Sequence, residues 1–378
     1  MTDKPVYVTR PSLPPLDELY PLLEEIWQRG ILTNSGPLHV QLEEALCEYL
    51  EVPYISLYSN GTTALLAALA VLDLPEGGEV ITTPFTFIAT ANALIWNRLT
   101  PVFVDIDPTT FNISPEQVEA AITDKTRAIL GVHVFGTPCD VDALDTIAIR
   151  HGLKVVYDAA HAFGVKCHCG SLLQHGDLSA LSFHATKVFN TFEGGAVVCH
   201  SQDMKEKLDA FKNFGLTNAE TANHPGLNAK LSEFNAAIGL LQLKYVDQHI
   251  EQRRRVAAAY HEELETIPGI ELPNQKTLDV QRANHSYFAI RVTDEFPISR
   301  DALLESLQGE ALYARRYFFP LVSQFKSVHK ESRIETQGLK AATRIAHEIL
   351  CLPIYPDMDL TIVQRMSRCI VRASKIAS

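Results

Sequence analysis

Residues 179–195 read S-A-L-S-F-H-A-T-K-V-F-N-T-F-E-G-G. Leu178 to Phe183 is an apolar run with small residues, the pattern of a short buried strand. His184 to Thr186 turn the chain, so Lys187 stands just past the strand end. After a polar break, Glu193-Gly194-Gly195 leads into a second apolar run, Ala196 to Cys199. In an open α/β sheet, ligands bind outside the carboxyl ends of the strands. Most lysines are solvated and do nothing chemical; one held between two buried strands is a candidate catalytic amine.

A second stretch strengthens that reading. Lys154 to Ala160 is K-V-V-Y-D-A-A, a β-branched and aromatic run with Asp158 at its end. Desolvation lowers a lysine's pKa and makes it a usable nucleophile. A lysine that can form a Schiff base, with an Asp partner for a pyridinium nitrogen, is the protein side of pyridoxal phosphate chemistry.

The chain resembles the DegT/DnrJ/EryC1/StrS family of sugar aminotransferases. The matching segments are S-N-G-T-T-A-L at 59–65, D-A-A-H-A-F-G at 158–164, S-F-H-A-T-K at 182–187, E-G-G at 193–195 and G-L-N-A-K-L-S-E-F-N-A-A-I-G-L-L-Q-L at 226–243. They occur in family order and span nearly the whole chain. The resemblance implies an α/β, fold-type-I architecture: a large domain with a mainly parallel sheet between helices, residues 1–245, and a smaller C-terminal α+β domain, residues 246–378. The N-terminal segment is expected to pack on the small domain. It also implies pyridoxal 5'-phosphate as cofactor, with Lys187 and Asp158 as catalytic residues.

The remaining site residues follow in chain order. Gly30 to Pro37 is a loop by its turn residues; by resemblance it reaches the substrate, with Thr33 as the candidate. Tyr54 to Tyr58, Asn60-Gly61-Thr62-Thr63 and the helix Ala64 to Leu72 read as strand, tight turn, helix. Amides at a helix start hold phosphate well, and Thr62 and Thr63 can add hydroxyls. Taken alone the run reads as ordinary N-capping by Ser/Thr; the resemblance reverses this and implies that the cofactor phosphate lies there. Phe87, with Phe85 as second choice, is the ring expected to stack on the cofactor. His161 stands where the family usually has Gln, and Ser182 where a serine reaches the phosphate. His184 replaces the more usual Tyr or Phe and faces the sugar. Asn228 is expected to reach the partner's cofactor across a homodimer interface, giving shared active sites.

Strand and helix patterns alternate from Val80 to His151, which implies a mainly parallel sheet. Asp105 and Asp107 read as turn residues. From about Val246 the character changes: a charged helix, Asp247 to Ile267, leads to strands Ser286–Val292 and Ala311–Tyr313 and helices Arg300–Leu307, Leu339–Leu350 and Leu360–Ile376. The segment Tyr313 to Pro320, Y-A-R-R-Y-F-F-P, sets arginines beside aromatics, a combination able to grip a nucleotide diphosphate. Arg316 and Tyr317 are the substrate candidates there.

Composition bounds the rest. The 378 residues are 46% hydrophobic and 21% charged, as in globular proteins, with net charge −12. That charge disfavours nucleic acid and anionic membranes as partners. The first residues lack the apolar core of a signal peptide and no window approaches a membrane span. Seven scattered cysteines give no disulfide framework, so a reducing cytoplasm is the simplest compartment. Cys167-His168-Cys169 reads as a polar hairpin and not a zinc site, because no second pair stands nearby; no metal is expected.

The reading is thus an aminotransferase for a nucleotide-linked 4-keto-6-deoxyhexose, with dTDP-4-keto-6-deoxyglucose as acceptor and L-glutamate as donor by analogy, in O-antigen and lipopolysaccharide biosynthesis. Within the family Glu-Gly-Gly after the lysine favours amination at C4, and Asp-Gly-Gly at C3. A 3-aminotransferase and a non-catalytic regulatory or binding protein of the same fold are the alternatives. Lys187 argues against a sugar dehydratase of this fold, which carries histidine at that place.

Overall fold

A computed structural model of the protein describes residues 4–168, 170–218, 220–222, 224–272, 280–335 and 338–375. Its centre is an eight-stranded sheet in the order 333–334, 100–103, 79–82, 126–132, 154–158, 178–182, 195–199, 54–58. Only Gly195–Cys199 runs against its neighbours; every other ladder in this sheet is parallel. The strands are buried along almost their whole length, as in sheets whose two faces are both covered. Registry then places Val132 beside Asp158 and Asp158 beside Ala180. Ser182 pairs with Gly195, and Gly195 with Tyr58. These residues gather at one end of the sheet, the carboxyl end of the parallel strands.

The turn after Tyr54–Tyr58 is where the sheet meets its first covering helix. That helix runs from Gly61 to Ala70, three residues earlier than its apolar run suggested. Asn60 is its cap, accepting the Thr63 amide at 2.9 Å, so the chain needs no further polar residue to start it. Two glycines let the turn lie flat on the sheet. A Cβ on Gly61 would meet Cβ of Ser182 at 2.8 Å. One on Gly195 would meet the Asn60 carbonyl carbon and oxygen at 2.6 Å. Asp105 accepts the amides of Ala341 and Ala342, both at 2.8 Å, and so caps the helix Lys340–Glu348. Asp107 accepts those of Thr109 and Thr110.

Glu233–Leu264 is one helix of 32 residues, so the charged helix expected from Asp247 starts 14 residues earlier. The expected domain boundary at 245/246 therefore lies inside a continuous helix. Its first half buries Ala236, Ile238, Leu241, Val246 and Ile250 in the core around the large sheet. Its second half buries Val256, Tyr260 and Leu264 in a separate core, with Phe288, Leu303 and Ile370. That second core surrounds a three-stranded antiparallel sheet of Ile270–Glu271, Phe288–Val292 and Ile349–Leu352. Val6–Tyr7 pairs in parallel with Leu312–Tyr313 and adds Val6 to the same core.

The helix expected over Leu339–Leu350 ends at Glu348, and Ile349 begins a strand. Arg300 explains the stop: its Nη1 donates to the carbonyls of Ala346 and Ile349, at 3.0 and 2.8 Å. The last helix is Leu360–Ala373, and Ile376, its expected end, lies outside the described residues. So does Cys169; Lys166–Cys167 pairs antiparallel with Gly170–Ser171. Among the described residues no cluster of three or more His, Cys, Asp or Glu side chains could hold a metal. No helix among them is long and apolar enough to cross a membrane.

Gly195→Ala tests the close approach of turn and sheet. The added methyl has no room without displacing Asn60 and Gly61, so urea unfolding is expected to show a loss of about 1–3 kcal/mol, the usual cost of overpacking.

Candidate active site

A cavity of about 360 Å³ opens at the carboxyl end of the sheet. Asn60, Gly61 and Thr62 line it from the turn after the 54–58 strand, and Thr86 and Phe87 from the turn after 79–82. Val132, Asp158, Ala180 and Ser182 are strand ends. His184, Thr186, Lys187 and Glu193 come from the loop that reverses the chain into the antiparallel strand. Tyr287, Tyr317 and Phe318 close it from the C-terminal half. One lysine and one aspartate, 29 positions apart in sequence, thus share one enclosed space.

Their titration reflects that enclosure. Burial drives the Lys187 ammonium down to a pKa of about 8, and the negative charge of Asp158 partly opposes it. Burial likewise raises the Asp158 carboxyl. Hydrogen bonds from Thr90 and the Ala160 amide, and the charge of Lys187, pull it back. Thr90 Oγ1 donates to Asp158 Oδ2 at 2.7 Å, and the Ala160 amide to Oδ1 at 3.1 Å. Since the one hydroxyl proton of Thr90 is spent on the carboxylate, Thr86 must be the donor in the 2.8 Å contact between the two threonines. His161 is 7% exposed. Burial first, and the nearby Lys187 second, hold its pKa well below the ordinary value, so the ring is neutral. Its Nδ1 accepts from the Phe135 amide at 3.2 Å, which assigns the proton to Nε2.

The other predicted residues divide. Thr62, Phe87, Ser182, His184 and Tyr317 line the cavity. Thr63 does not: its hydroxyl donates back to the Asn60 carbonyl at 2.9 Å, inside the first turn of the helix. Asn60 is the cap, and of the two threonines Thr62 is the one that lines the cavity. Phe85 is fully buried against Phe111, Phe135 and Phe318 and cannot stack on a ligand. His184 Nδ1 lies 2.8 Å from Thr186 Oγ1, and its Nε2 3.7 Å from Glu193 Oε1. Thr33 is exposed on the 30–36 loop, away from the lining. Asn228 is also exposed and outside it, accepting from Lys230 Nζ at 2.7 Å. Arg316 borders an adjoining cavity of about 330 Å³ that shares Thr86, Phe87, Tyr317 and Phe318 with the first. There it is paired with Asp301 at 3.2 Å and stacked 5.0 Å from the Phe319 ring. Its exposed neighbour Arg315 lines the same cavity.

Sequence reasoning missed Thr90, Tyr287 and Phe318. Thr86 and Thr90, four apart at a helix start behind a strand, carried a local signal. Phe318 stood in the aromatic Tyr313–Pro320 segment without being singled out, and Tyr287, more than 100 positions from Asp158, carried no signal.

A desolvated lysine, a buried carboxylate and an amide-lined turn around one cavity are the donor set that pyridoxal phosphate requires. Lys187 can bond its aldehyde, Asp158 can pair its ring nitrogen, and Asn60–Thr62 with Ser182 can take its phosphate. This is the class of a fold-type-I aminotransferase. The chain belongs to the DegT/DnrJ/EryC1/StrS aminotransferase family, which matches it over residues 17–371, and is a pyridoxal phosphate-dependent aminotransferase. It is similar to the dTDP-4-amino-4,6-dideoxy-D-glucose transaminase of Shigella dysenteriae, with 50% identity over 96% of this chain and 97% of the relative. The enzyme of the same name from Escherichia coli is 43% identical over 98% and 99% of the two chains. Among solved structures, that of DesI in the presence of its TDP-sugar product superposes with a TM-score of 0.93 at 34% identity, covering 99% of this chain and 94% of that one.

Labelling of the Lys187 peptide in the cofactor-free protein by an amine reagent, followed by mass spectrometry, should rise with pH to a midpoint near 8. Asp158→Asn removes the charge that favours the ammonium, so the midpoint should move lower still.

Proposed function

We propose that this chain aminates C4 of a dTDP-linked 4-keto-6-deoxyglucose with L-glutamate as donor, and that it does so in the cytoplasm as a homodimer with shared sites. The observation that carries the reading is the Lys187–Asp158 cavity opening onto an arginine- and aromatic-lined annex, in a chain half identical to a transaminase of that name. The C4 assignment rests on Glu193-Gly194-Gly195, with Glu193 on the cavity wall.

When bound, the cofactor supplies an electron sink for a carbanion next to nitrogen. The chain supplies the rest. Asp158 keeps its negative charge toward the ring nitrogen, held by Thr90 and the Ala160 amide. Lys187 binds the cofactor and, once freed, takes the proton from the donor's α-carbon and later returns one to the sugar's C4. Its lowered pKa leaves a usable fraction of neutral amine near neutral pH. The same groups serve both halves, so donor and sugar alternate in one site and ping-pong kinetics result. The sugar lies beside His184 and Tyr317, and the nucleotide diphosphate extends into the annex, where Arg315 is exposed and Arg316 is held by Asp301. Our reading of Asn228 as a residue for the second chain's site is supported by its place: it lies outside its own cavity, on a segment whose Ala229 carbonyl accepts the Ser59 amide at 2.7 Å. The large and small domains meet along the helix Glu233–Leu264.

The deciding experiment gives purified protein pyridoxal phosphate, L-glutamate and dTDP-4-keto-6-deoxyglucose, and reads the product by NMR. An amine at C4 is expected. An amine at C3 of a 3-keto substrate would replace the positional assignment, and no conversion of the cofactor by any amino donor would favour a non-catalytic protein. For the shared site, mixing the inactive Lys187→Ala and Asn228→Ala proteins should restore activity, because a mixed dimer holds one intact site; no recovery after demonstrated subunit exchange would refute it.

A further inference from the structure

The Lys187 amine has one hydrogen-bond partner among the described residues, the phenol oxygen of Tyr287 at 3.5 Å. The ring of Tyr287 is held on several sides. His161 lies 4.7 Å away, Phe135 5.4 Å, and Tyr317 edge-on at 5.7 Å. Its backbone is tied to the same turn that carries Asp158 and His161. Asn284 Nδ2 donates to the carbonyls of His161 and Phe163, at 2.8 and 3.0 Å. Ser286 Oγ lies 3.2 Å from the carbonyls of both Phe135 and His161. Residue 287 is therefore placed relative to Asp158, although it comes from the far part of the chain.

We propose that Tyr287 is a positioning residue for Lys187: its phenol oxygen accepts an N–H of the freed amine and turns the remaining lone pair toward the substrate carbon. This rests on the aminotransferase reading above. A general base must be aimed as well as basic, and a four-carbon stem with a single charge at its tip has little else to orient it. The phenol is suited to accepting. Burial first, then Cys351, push its pKa up, and Arg253 opposes them; Tyr287 stays protonated and does not compete as a base. The charged and titratable groups facing the pair are Asp158 and His161 from the 158–161 turn, Arg253 from the long helix, Tyr317, and Cys351 from the 349–352 strand. Arg253 is buried, with Nη1 donating to the Ile354 carbonyl at 3.0 Å, and acts on Tyr287 through its charge.

Tyr287→Phe keeps the ring and its packing and removes only the oxygen. In the holoenzyme, the absorbance change that follows L-glutamate addition should slow about tenfold, as for loss of one hydrogen bond to a charged group. The half-saturating donor concentration should be unchanged, and the deuterium effect from α-deuterated glutamate larger. In the cofactor-free protein, the pH midpoint for labelling the Lys187 peptide should fall, since the ammonium loses an acceptor. A wild-type rate and midpoint would overturn the proposal. So would a slower reaction with a raised half-saturating concentration and an unmoved midpoint, which is the pattern of disturbed packing. If the wild-type protein shows no absorbance change with any amino donor, the aminotransferase reading fails, and the labelling midpoints still decide whether Tyr287 holds the amine.

Discussion

Two ionisable side chains taken out of water together set the terms for the rest of this structure. Burial would strip the charge from Lys187 and Asp158 alike. Each moderates the loss in the other, and the balance is completed by neutral donors. Thr90 and the Ala160 amide hold the carboxylate in its charged form. The amine is left with a lowered pKa and, among the described residues, no carboxylate in hydrogen-bond contact. The outcome is a base that is available near neutral pH in the same cavity as a carboxylate whose charged form its donors favour, with a neutral His161 on the cavity wall.

Such a pair is useful only if its spacing is rigid, and the sheet supplies the rigidity. Val132, Asp158 and Ala180 are ladder neighbours, so the cavity floor is built from adjacent strand ends. The antiparallel strand Gly195–Cys199 lies between Tyr54–Tyr58 and Leu178–Ser182 and locks the Lys187 loop at both ends. The glycines at 61 and 195 allow the Asn60–Thr62 turn to sit on the ends of the Leu178–Ser182 and Gly195–Cys199 strands at contact distance. A loop-borne lysine is thereby held by parts that cannot shift independently.

The C-terminal half reaches the site through a few buried polar anchors. Glu233 caps the helix Pro37–Leu50 through the amides of Leu38 and His39, at 3.0 and 2.8 Å. Further along the same helix, Arg253 holds the Ile354 carbonyl. The helix is buried in both cores, which couples the small sheet to the large one. Tyr287, Tyr317 and Phe318 are delivered to the cavity mouth by that connection.

Much of this was legible in the residues. The strand runs ending at Asp158 and before Lys187, the capped turn at Asn60 and the alternation that implies a parallel sheet are local properties, set by neighbours a few positions apart. The same locality misled at Val246, where a change of composition suggested a break in a helix that has none, because burial in two cores overrides the pattern. Nor could it say what Thr63 and Arg316 touch within the chain: the Thr63 hydroxyl donates to the Asn60 carbonyl, and Arg316 meets Asp301 and Phe319. By itself, then, the sequence determined the class of fold and set Asp158 at the end of one strand and Lys187 past the end of another. Only the tertiary structure decided that Thr90 restrains Asp158, that Phe85 is core while Phe87 is exposed, and that Tyr287 meets Lys187 across 100 positions. Those contacts depend on strand register and on where two cores meet, and no short window of residues encodes either.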